Sequence, residues 1–164
     1  MLNNWINAKY LNENETTKTR INFLKSKPYP NFILNNFFNK SKLLRLRKEI
    51  LKEKFEAIDK DLFTLSHTKD LVSSNNNLIN EFYSLLSSKK FTNQELSSKI
   101  DMQSHKMKQG DYLLFHDDVV EGRDIAYIVY LMDLSAKDGG ALRLYDIRTQ
   151  LNPIKKIYPK FNSF

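Results

Sequence analysis

The sequence predicts an α+β domain in which helices come first and a run of short strands follows. Before residue 100, segments repeat apolar residues at helical spacing, whereas the later apolar segments are short and bounded by turn formers. All four glycines lie between those later segments, where tight turns need positive φ. Helices followed by strands in this order are typical of an α+β domain with a sheet sandwich or jelly roll.

The amino-terminal part of the chain predicts a polar lead-in followed by the start of the domain. Residues 1–27 are polar and basic with scattered apolar positions, so we expect a loosely attached segment there. The prolines at 28 and 30 then interrupt the chain. Residues 32–34 are apolar and precede Asn35-Asn36, which indicates a short strand and a turn. The domain itself is therefore predicted over residues 28–164.

Three helices are predicted between this turn and residue 100. Residues 41–58 carry apolar side chains at helical spacing, with Ser41 or Asn39 available as the N-cap. A second helix is predicted over residues 77–87 and a third, short one over residues 92–100. The strands predicted beyond them cover residues 101–107, 112–115, 125–132, 141–145 and 154–158.

The net charge of +7 has two interpretations. A basic protein can attract nucleic acid or the ribosome, and Arg45, Arg47 and Lys48 on the first predicted helix could make such a contact. However, lysine and asparagine are abundant throughout the chain, which is typical of a compositional bias spread over a solvated surface. We therefore do not expect a dedicated nucleic-acid interface, although the RNA hypothesis stays open.

The composition also limits the chemistry and the location. The chain has no cysteine, so disulfides, thiolate catalysis and cysteine zinc sites are excluded. The longest apolar run, residues 125–132, is far shorter than the roughly 20 residues of a membrane-spanning helix. The first residues lack the pattern of a secretory signal. We expect no membrane association and a cytoplasmic or nuclear location.

The segment most informative about chemistry is residues 110–118, which read GDYLLFHDD. Side chains two positions apart share a face of a strand, so His116 and Asp118 are predicted to project together, with Asp117 opposite. One imidazole and one carboxylate are two thirds of the facial triad that holds Fe(II) in oxygenases. The alternative, which the spacing does not exclude, is a strand-end histidine bonded to Asp118 without any metal.

The surrounding residues resemble a known enzyme family. The motif is followed by EGR at 121–123, IAYIVYL at 125–131 and GGALRLY at 139–145. Together with KPYPNF at 27–32, this pattern is similar to the eukaryotic prolyl 3-hydroxylases, Fe(II)/2-oxoglutarate-dependent dioxygenases that modify a small-subunit ribosomal protein. The resemblance covers roughly residues 27–164.

The resemblance implies a fold, cofactors and a reaction. It implies a double-stranded β-helix, or jelly roll, with packing helices before it. His116 and Asp118 would be Fe(II) ligands, and Tyr130 would contact 2-oxoglutarate. Dioxygen and 2-oxoglutarate would be consumed, succinate and carbon dioxide released, and a prolyl ring hydroxylated, with ascorbate as the reductant. The expected partner is a protein substrate that carries the proline.

The sequence also departs from the family pattern. In these enzymes a second histidine ligand and an arginine that clamps 2-oxoglutarate lie further downstream, and no histidine follows His116 here. We therefore expect a fragment that lacks the carboxy-terminal half of its domain, with an incomplete sheet and no activity alone. The alternative is a degenerate dioxygenase fold that binds or regulates without turnover.

Substitutes for the missing groups are poor. His67 is predicted in a loop and His105 on the strand before the motif, so neither is expected to complete the triad. Arg143 and Arg148 do not match the position of the family's arginine. Met107 stands where the family tends to have a tyrosine, and a thioether cannot donate that tyrosine's hydrogen bond.

Overall fold

The chain folds into helices and antiparallel sheets arranged in two compact units, in agreement with the predicted α+β class. The computed structural model describes residues 2–92, 100–118, 121–122, 125–146, 148 and 152–164. Unit 1 comprises Asn3–Leu43 and Tyr127–Phe164, and unit 2 comprises Leu44–Ala126. None of the helices within these described ranges is long and apolar enough to cross a membrane.

The described elements follow one another along the chain as follows. The helices are α1 (Leu2–Trp5), α2 (Glu13–Lys25), α3 (Lys40–Ile50), α4 (Asn77–Leu86) and α5 (Lys89–Thr92). The strands are β1 (Phe55–Lys60), β2 (Phe63–Thr68), β3 (His105–Lys106), β4 (Tyr112–Leu113), β5 (Leu142–Leu144) and β6 (Lys155–Ile157). Short 3₁₀ turns cover Ala8–Leu11 and Leu71–Ser73.

The last residues of the chain form the centre of unit 1. Leu34 and Phe164 exchange backbone hydrogen bonds in both directions, at 2.8 and 3.0 Å. Tyr130 donates its N–H to Ser163 and accepts from Asn162. The Asn162 side chain, which is almost fully buried, accepts from the Phe38 N–H and donates to the Phe38 carbonyl, both at 2.8 Å. One carboxy-terminal segment thus joins two distant parts of the unit.

Aromatic packing accompanies these hydrogen bonds. The Phe164 ring stacks on Phe37 with centroids 5.0 Å apart and meets Phe38 edge to face at 5.6 Å. Tyr127 and Phe32 complete the contacts at 5.4 and 6.2 Å. Each such pair stabilises a protein by about 0.5–1.5 kcal/mol beyond the burial of its area. Phe164 is therefore the centre of an aromatic cluster that the sequence pattern did not predict.

The amino-terminal segment contributes two buried side chains to unit 1. Trp5 and Ile6 are almost completely buried, and the Trp5 carbonyl accepts a hydrogen bond from the Asn39 N–H. By contrast, helix α2 contains no buried residue. The predicted lead-in thus contains core residues that its polar composition does not reveal. The domain boundary at residue 28 stays a prediction.

The first predicted amphipathic helix is correct in place but too long. Helix α3 begins after Asn39, whose side chain accepts from the Lys42 N–H as an N-cap, and it ends at Ile50. The prediction of helix up to residue 58 is wrong, because β1 begins at Phe55. Charged residues at 52–54 end the helical apolar repeat, and Phe55 and Ile58 then suit a strand paired with β2.

Strand β2 is the central strand of the sheet in unit 2. It pairs antiparallel with β1 along its whole length, and on its other edge it pairs with both β3 and β4. Lys106 lies opposite Ser66 and Tyr112 opposite Thr64, so the five residues 107–111 face Leu65 alone. Strands β3 and β4 are therefore one edge strand interrupted by a loop.

The second predicted helix matches α4 to within one residue. Asn76 caps it by accepting from the N–H groups of Leu78 and Ile79. Its buried residues are Ile79, Phe82, Leu85 and Leu86. The third predicted helix, residues 92–100, lies almost entirely outside the described residues, and α5 ends where it would begin.

The predicted strands after residue 100 are observed in shortened form, with one exception. Strands β3, β4, β5 and β6 lie inside four of the five predicted segments. The strand predicted at 125–132 is wrong, since Tyr130 makes an isolated bridge to Ser163 there. Residues 32–34 form no strand either, although the turn follows at Asn36 with φ of 53°. All four glycines have positive φ, as predicted.

The buried Asn162 side chain is expected to be a main source of stability in unit 1. Alanine at this position would leave the Phe38 N–H and carbonyl unpaired in the interior, and Asn162 also has φ of 63°. We expect Asn162→Ala to lower the free energy of unfolding by about 2–4 kcal/mol. Urea denaturation followed by circular dichroism measures this change.

Asn36→Ala is the matched control. Asn36 has φ of 53° but is exposed, so alanine there adds backbone strain without removing a buried hydrogen bond. A loss of about 1 kcal/mol is expected. Equal losses in the two variants would contradict a stabilising role for the Asn162 side chain.

Candidate metal centre

A turn and an edge strand position the residues of the predicted metal motif. Asp111 closes the turn by donating its N–H to the Lys108 carbonyl and accepting from the Lys108 N–H. Gly110 has φ of 93° in this turn, a conformation that favours glycine. Strand β4 follows, and Leu114 continues its pairing by donating to the Leu62 carbonyl at 2.8 Å. The chain leaves the sheet edge immediately before His116.

His116 and Asp118 meet through the two atoms that would bind a metal. The His116 Nε2 atom lies 3.2 Å from Asp118 Oδ1. The other ring nitrogen, Nδ1, lies 2.7 Å from the Leu114 carbonyl, which can only accept, so Nδ1 carries the proton. Backbone support of this kind fixes the tautomer of a metal-binding histidine. The sequence prediction that these two side chains project together agrees with this geometry.

The pair fits part of an Fe(II) site. Ligand atoms that share one ion at about 2.0–2.2 Å and at a right angle lie roughly 3 Å apart. The observed 3.2 Å between Nε2 and Oδ1 agrees with such a pair. In the described ranges, no three His, Cys, Asp or Glu side chains cluster closely enough to hold an ion. Among the described residues, His116 and Asp118 therefore have the types and spacing of two ligands of a facial triad, and their role as ligands stays a prediction.

Solvent reaches both side chains. The side chain of His116 is 36% exposed and that of Asp118 is 72% exposed. An ion could enter from solution without any opening of the fold. The same exposure allows the pair to exist without metal as a hydrogen-bonded His–Asp contact in which Nε2 carries a proton as well, the alternative that the sequence left open. The orientation predicted for Asp117 stays a prediction.

Tyr130, the predicted 2-oxoglutarate contact, lies in unit 1. Its backbone pairs with Ser163 and Asn162, and its side chain is half-buried. Burial raises the pKa of the Tyr130 phenol, so the hydroxyl stays protonated and can donate a hydrogen bond at neutral pH. Donation to a carboxylate would use that proton. The contact with 2-oxoglutarate stays a prediction.

The other two histidines lie far from the motif along the sheet. His67 is on β2, so the loop predicted for it is wrong, and it faces His105 of β3. His116 follows β4, which pairs with the opposite end of β2 at Phe63. Four residues of strand separate Phe63 from His67, a distance of roughly 13 Å. In this fold neither histidine reaches His116 as a third ligand.

Arg143, Arg148 and Met107 were considered at the sequence level in relation to the family's arginine and tyrosine. Their contacts in the structure are different from those roles. Arg148 forms a bidentate contact with Asp146, with nitrogen–oxygen distances of 3.0 and 2.9 Å. Arg143 lies on β5 opposite Lys156. Met107 is 50% exposed in the loop between β3 and β4. A role of either arginine in binding 2-oxoglutarate is not favoured by these positions.

Comparison with protein families gives the motif its context. Residues 102–164, which include His116, Asp118 and Tyr130, match the model of the 2OG-Fe(II) oxygenase superfamily. Residues 102–164 are thus similar to 2OG-Fe(II) oxygenases, and we call them the oxygenase-like segment. The superfamily uses Fe(II), 2-oxoglutarate and dioxygen. The His116–Asp118 contact lies in this oxygenase-like segment and joins two residue types that such enzymes use as iron ligands.

Curated relatives extend the similarity beyond this segment. The chain is 34% identical over 153 residues to prolyl 3-hydroxylase OGFOD1 of Xenopus laevis and 34% identical over 148 residues to that of Mus musculus. These alignments cover 85% and 82% of the chain. A prolyl 3,4-dihydroxylase OGFOD1 of Ostreococcus tauri is 41% identical over 76 residues, which are 42% of the chain and 15% of that protein. The alignments span 30% of the frog protein and 27% of the mouse protein.

The Arg148–Asp146 contact predicts a measurable change in acidity. Hydrogen bonds from the Arg148 guanidinium, and then from its backbone N–H, lower the Asp146 pKa to about 2. Ionised Asp146 therefore stabilises the fold above about pH 4, and this contribution is lost as the pH falls towards 2. We expect Arg148→Gln to raise the Asp146 pKa, although only in part because the backbone donor remains. Carboxyl NMR titration measures the change.

Arg143→Gln is the control for this titration, since Arg143 is not among the groups that shift Asp146. It should leave the Asp146 pKa unchanged. An Asp146 pKa that is the same in Arg148→Gln as in the wild type would show that the side-chain contact does not exist in solution.

Proposed function

We propose that this chain supplies the first two iron ligands of an Fe(II)- and 2-oxoglutarate-dependent peptidyl-proline hydroxylase. The observation that carries the proposal is the 3.2 Å approach of His116 Nε2 to Asp118 Oδ1 inside a segment that matches the oxygenase superfamily. The similarity to prolyl hydroxylases over most of the chain supports a prolyl substrate. We also propose that the strands of the complete domain form a jelly roll.

The roles of the individual residues follow from their contacts. His116 would bind the ion through Nε2, while the Nδ1–H donation to Leu114 prevents the ring from turning away. Asp118 would bind beside it through Oδ1 and offset one of the two positive charges. When bound, Fe(II) with 2-oxoglutarate supplies the oxidising chemistry by which dioxygen hydroxylates a ring carbon.

The remaining parts of the proposal concern the co-substrate and the substrate. Tyr130 would donate its protonated hydroxyl to a 2-oxoglutarate carboxylate. The acceptor of the hydroxyl group would be a proline in a ribosomal protein, and ascorbate would keep the iron reduced. Such a substrate requires a cytoplasmic or nuclear location. The third ligand and the carboxylate clamp would come from residues other than His67, His105, Arg143 and Arg148.

A pair of adjacent aspartates allows a matched test of the metal ligands. Asp118→Asn removes the proposed ligand, whereas Asp117→Asn makes the same chemical change one residue earlier. We expect Asp118→Asn and His116→Ala each to weaken Fe(II) binding by at least about tenfold, since each removes one of the two described ligands. Asp117→Asn should bind Fe(II) as the wild type does.

Anaerobic titration with Fe(II) measures these affinities, and circular dichroism confirms that each variant folds. All three side chains are exposed, so loss of the fold is not expected. Equal Fe(II) affinity in Asp117→Asn and Asp118→Asn would remove the metal assignment. The His116–Asp118 contact would then be a hydrogen bond at the end of a strand.

A further inference from the structure

Two histidines and a glutamate, residue types that can bind metal ions, lie on the sheet of unit 2, away from the His116–Asp118 pair. Glu56 of β1 lies opposite His67 of β2, and His67 lies opposite His105 of β3. Residues directly opposite each other in an antiparallel sheet project from the same face. A carboxylate and two imidazoles therefore form one row across three strands. The motif at His116 does not use any of them.

The two histidines face each other in the closer type of strand pair. The Thr68 N–H donates to the Ser104 carbonyl at 3.0 Å, so Thr68 and Ser104 occupy a hydrogen-bonded position of the ladder. Positions alternate along an antiparallel pair, which places His67 and His105 at a non-hydrogen-bonded position. Side chains come closest at such positions. The ring centroids are 6.4 Å apart at an angle of 75°.

These rings can reach a common ion with a small movement. An imidazole nitrogen binds Zn²⁺ at about 2.0–2.1 Å, so two rings on one ion have centroids roughly 5–6 Å apart. The observed 6.4 Å exceeds this range slightly. His105 is exposed on an edge strand, and His67 is only half-buried, so rotation of the His105 ring can shorten the distance. No rearrangement of the backbone is needed.

A carboxylate at the end of the row also favours a cation. Glu56 adds a negative charge at the end of the row, although Lys54 is paired with it at 2.9 Å.

We propose that His67 and His105 form a surface site for a transition-metal dication such as Cu²⁺, Ni²⁺ or Zn²⁺, with water in the remaining coordination positions. Imidazole nitrogen is a preferred ligand of these ions, and Cu²⁺ is expected to bind most tightly of the three. Glu56 strengthens binding through its charge. The site is independent of the proposed hydroxylase function, because it shares no residue with His116 and Asp118.

The proposed site has a mechanical consequence for the sheet. Strand β3 contains two residues, and among the strands that the structure describes it pairs with β2 alone. An ion bound by both histidines would cross-link β3 to β2. Since the unfolded chain does not hold the two rings together, ion binding would also stabilise the folded state.

The test must separate this site from the oxygenase motif. We would therefore measure Cu²⁺ and Zn²⁺ binding by calorimetry in a background that carries His116→Ala and Asp118→Asn, where His67 and His105 are the only histidines left. One ion per chain is expected. His67→Gln and His105→Gln should each weaken binding by at least about tenfold, the minimum cost of disturbing a metal ligand set.

Non-additivity is the signature of a shared ion. The double variant His67→Gln, His105→Gln should bind scarcely more weakly than either single variant, since removing one ring already abolishes chelation by the pair. Glu56→Gln should cause a smaller loss than either histidine variant. Lys106→Gln, on the neighbouring position of β3 and the opposite face, should have no effect on affinity.

Proton NMR of the imidazole rings during Zn²⁺ addition tests the same site without a substitution at either histidine. Signals from His67 and His105 should shift together and saturate at one ion per chain. Shifts of only one ring, unchanged affinity in both single variants, or losses that simply add would overturn the proposal. A failure here leaves the assignment of His116 and Asp118 untouched.

Discussion

The chemistry of unit 2 depends on the register in which β2 pairs with β3 and β4. One end of β2 pairs with β4, and His116 and Asp118 follow β4 at that end of the sheet. The other end pairs with β3 and brings His105 beside His67. Since side chains alternate between the two faces of a strand, a change of register by one residue would turn these side chains to the other face. The same strand thus separates two groups of potential ligands.

Unit 1 depends on a different kind of interaction, a side chain that substitutes for backbone pairing. Asn162 bonds both polar groups of Phe38, as a neighbouring strand would, while its own backbone pairs with Phe37 and Tyr130. Buried polar groups are stabilising only when their hydrogen bonds are complete. Here they are complete at a position with positive φ, which asparagine adopts more readily than most residues. The aromatic ring of Phe164 packs against the rings of Phe37 and Phe38 beside this asparagine.

The sequence predicted what depends on local periodicity and missed what depends on distant pairing. Helix α4 and the cap of α3 at Asn39 follow from nearby residues, and the glycine turns follow from backbone sterics. The hairpin of β1 and β2 was missed because Phe55 and Ile58 are three residues apart, a spacing that also fits one face of a helix, and only pairing with β2 selects the strand. The burial of Trp5 could not be read from a polar segment, since its partners lie elsewhere in the chain.

In the candidate site, too, the local features could be predicted from the sequence and the features that depend on distant pairing could not. The contact of His116 with Asp118 was predictable because it depends on two positions of one short segment. The support of the ring by the Leu114 carbonyl requires the backbone path and was not predicted. The facing of His67 and His105 requires the register of two strands separated by more than 30 residues. Periodicity carries no information about that register.

The loop between β3 and β4 has a consequence for how the sheet tolerates change. Five residues face Leu65 alone, so the edge strand carries four more residues than its partner. Pairing with β2 sets the face of each side chain on both sides of this loop, so the number of loop residues does not determine the orientation of β3 or β4. Residues can therefore be gained or lost between the two strands while His105 and the segment that leads to His116 keep their faces.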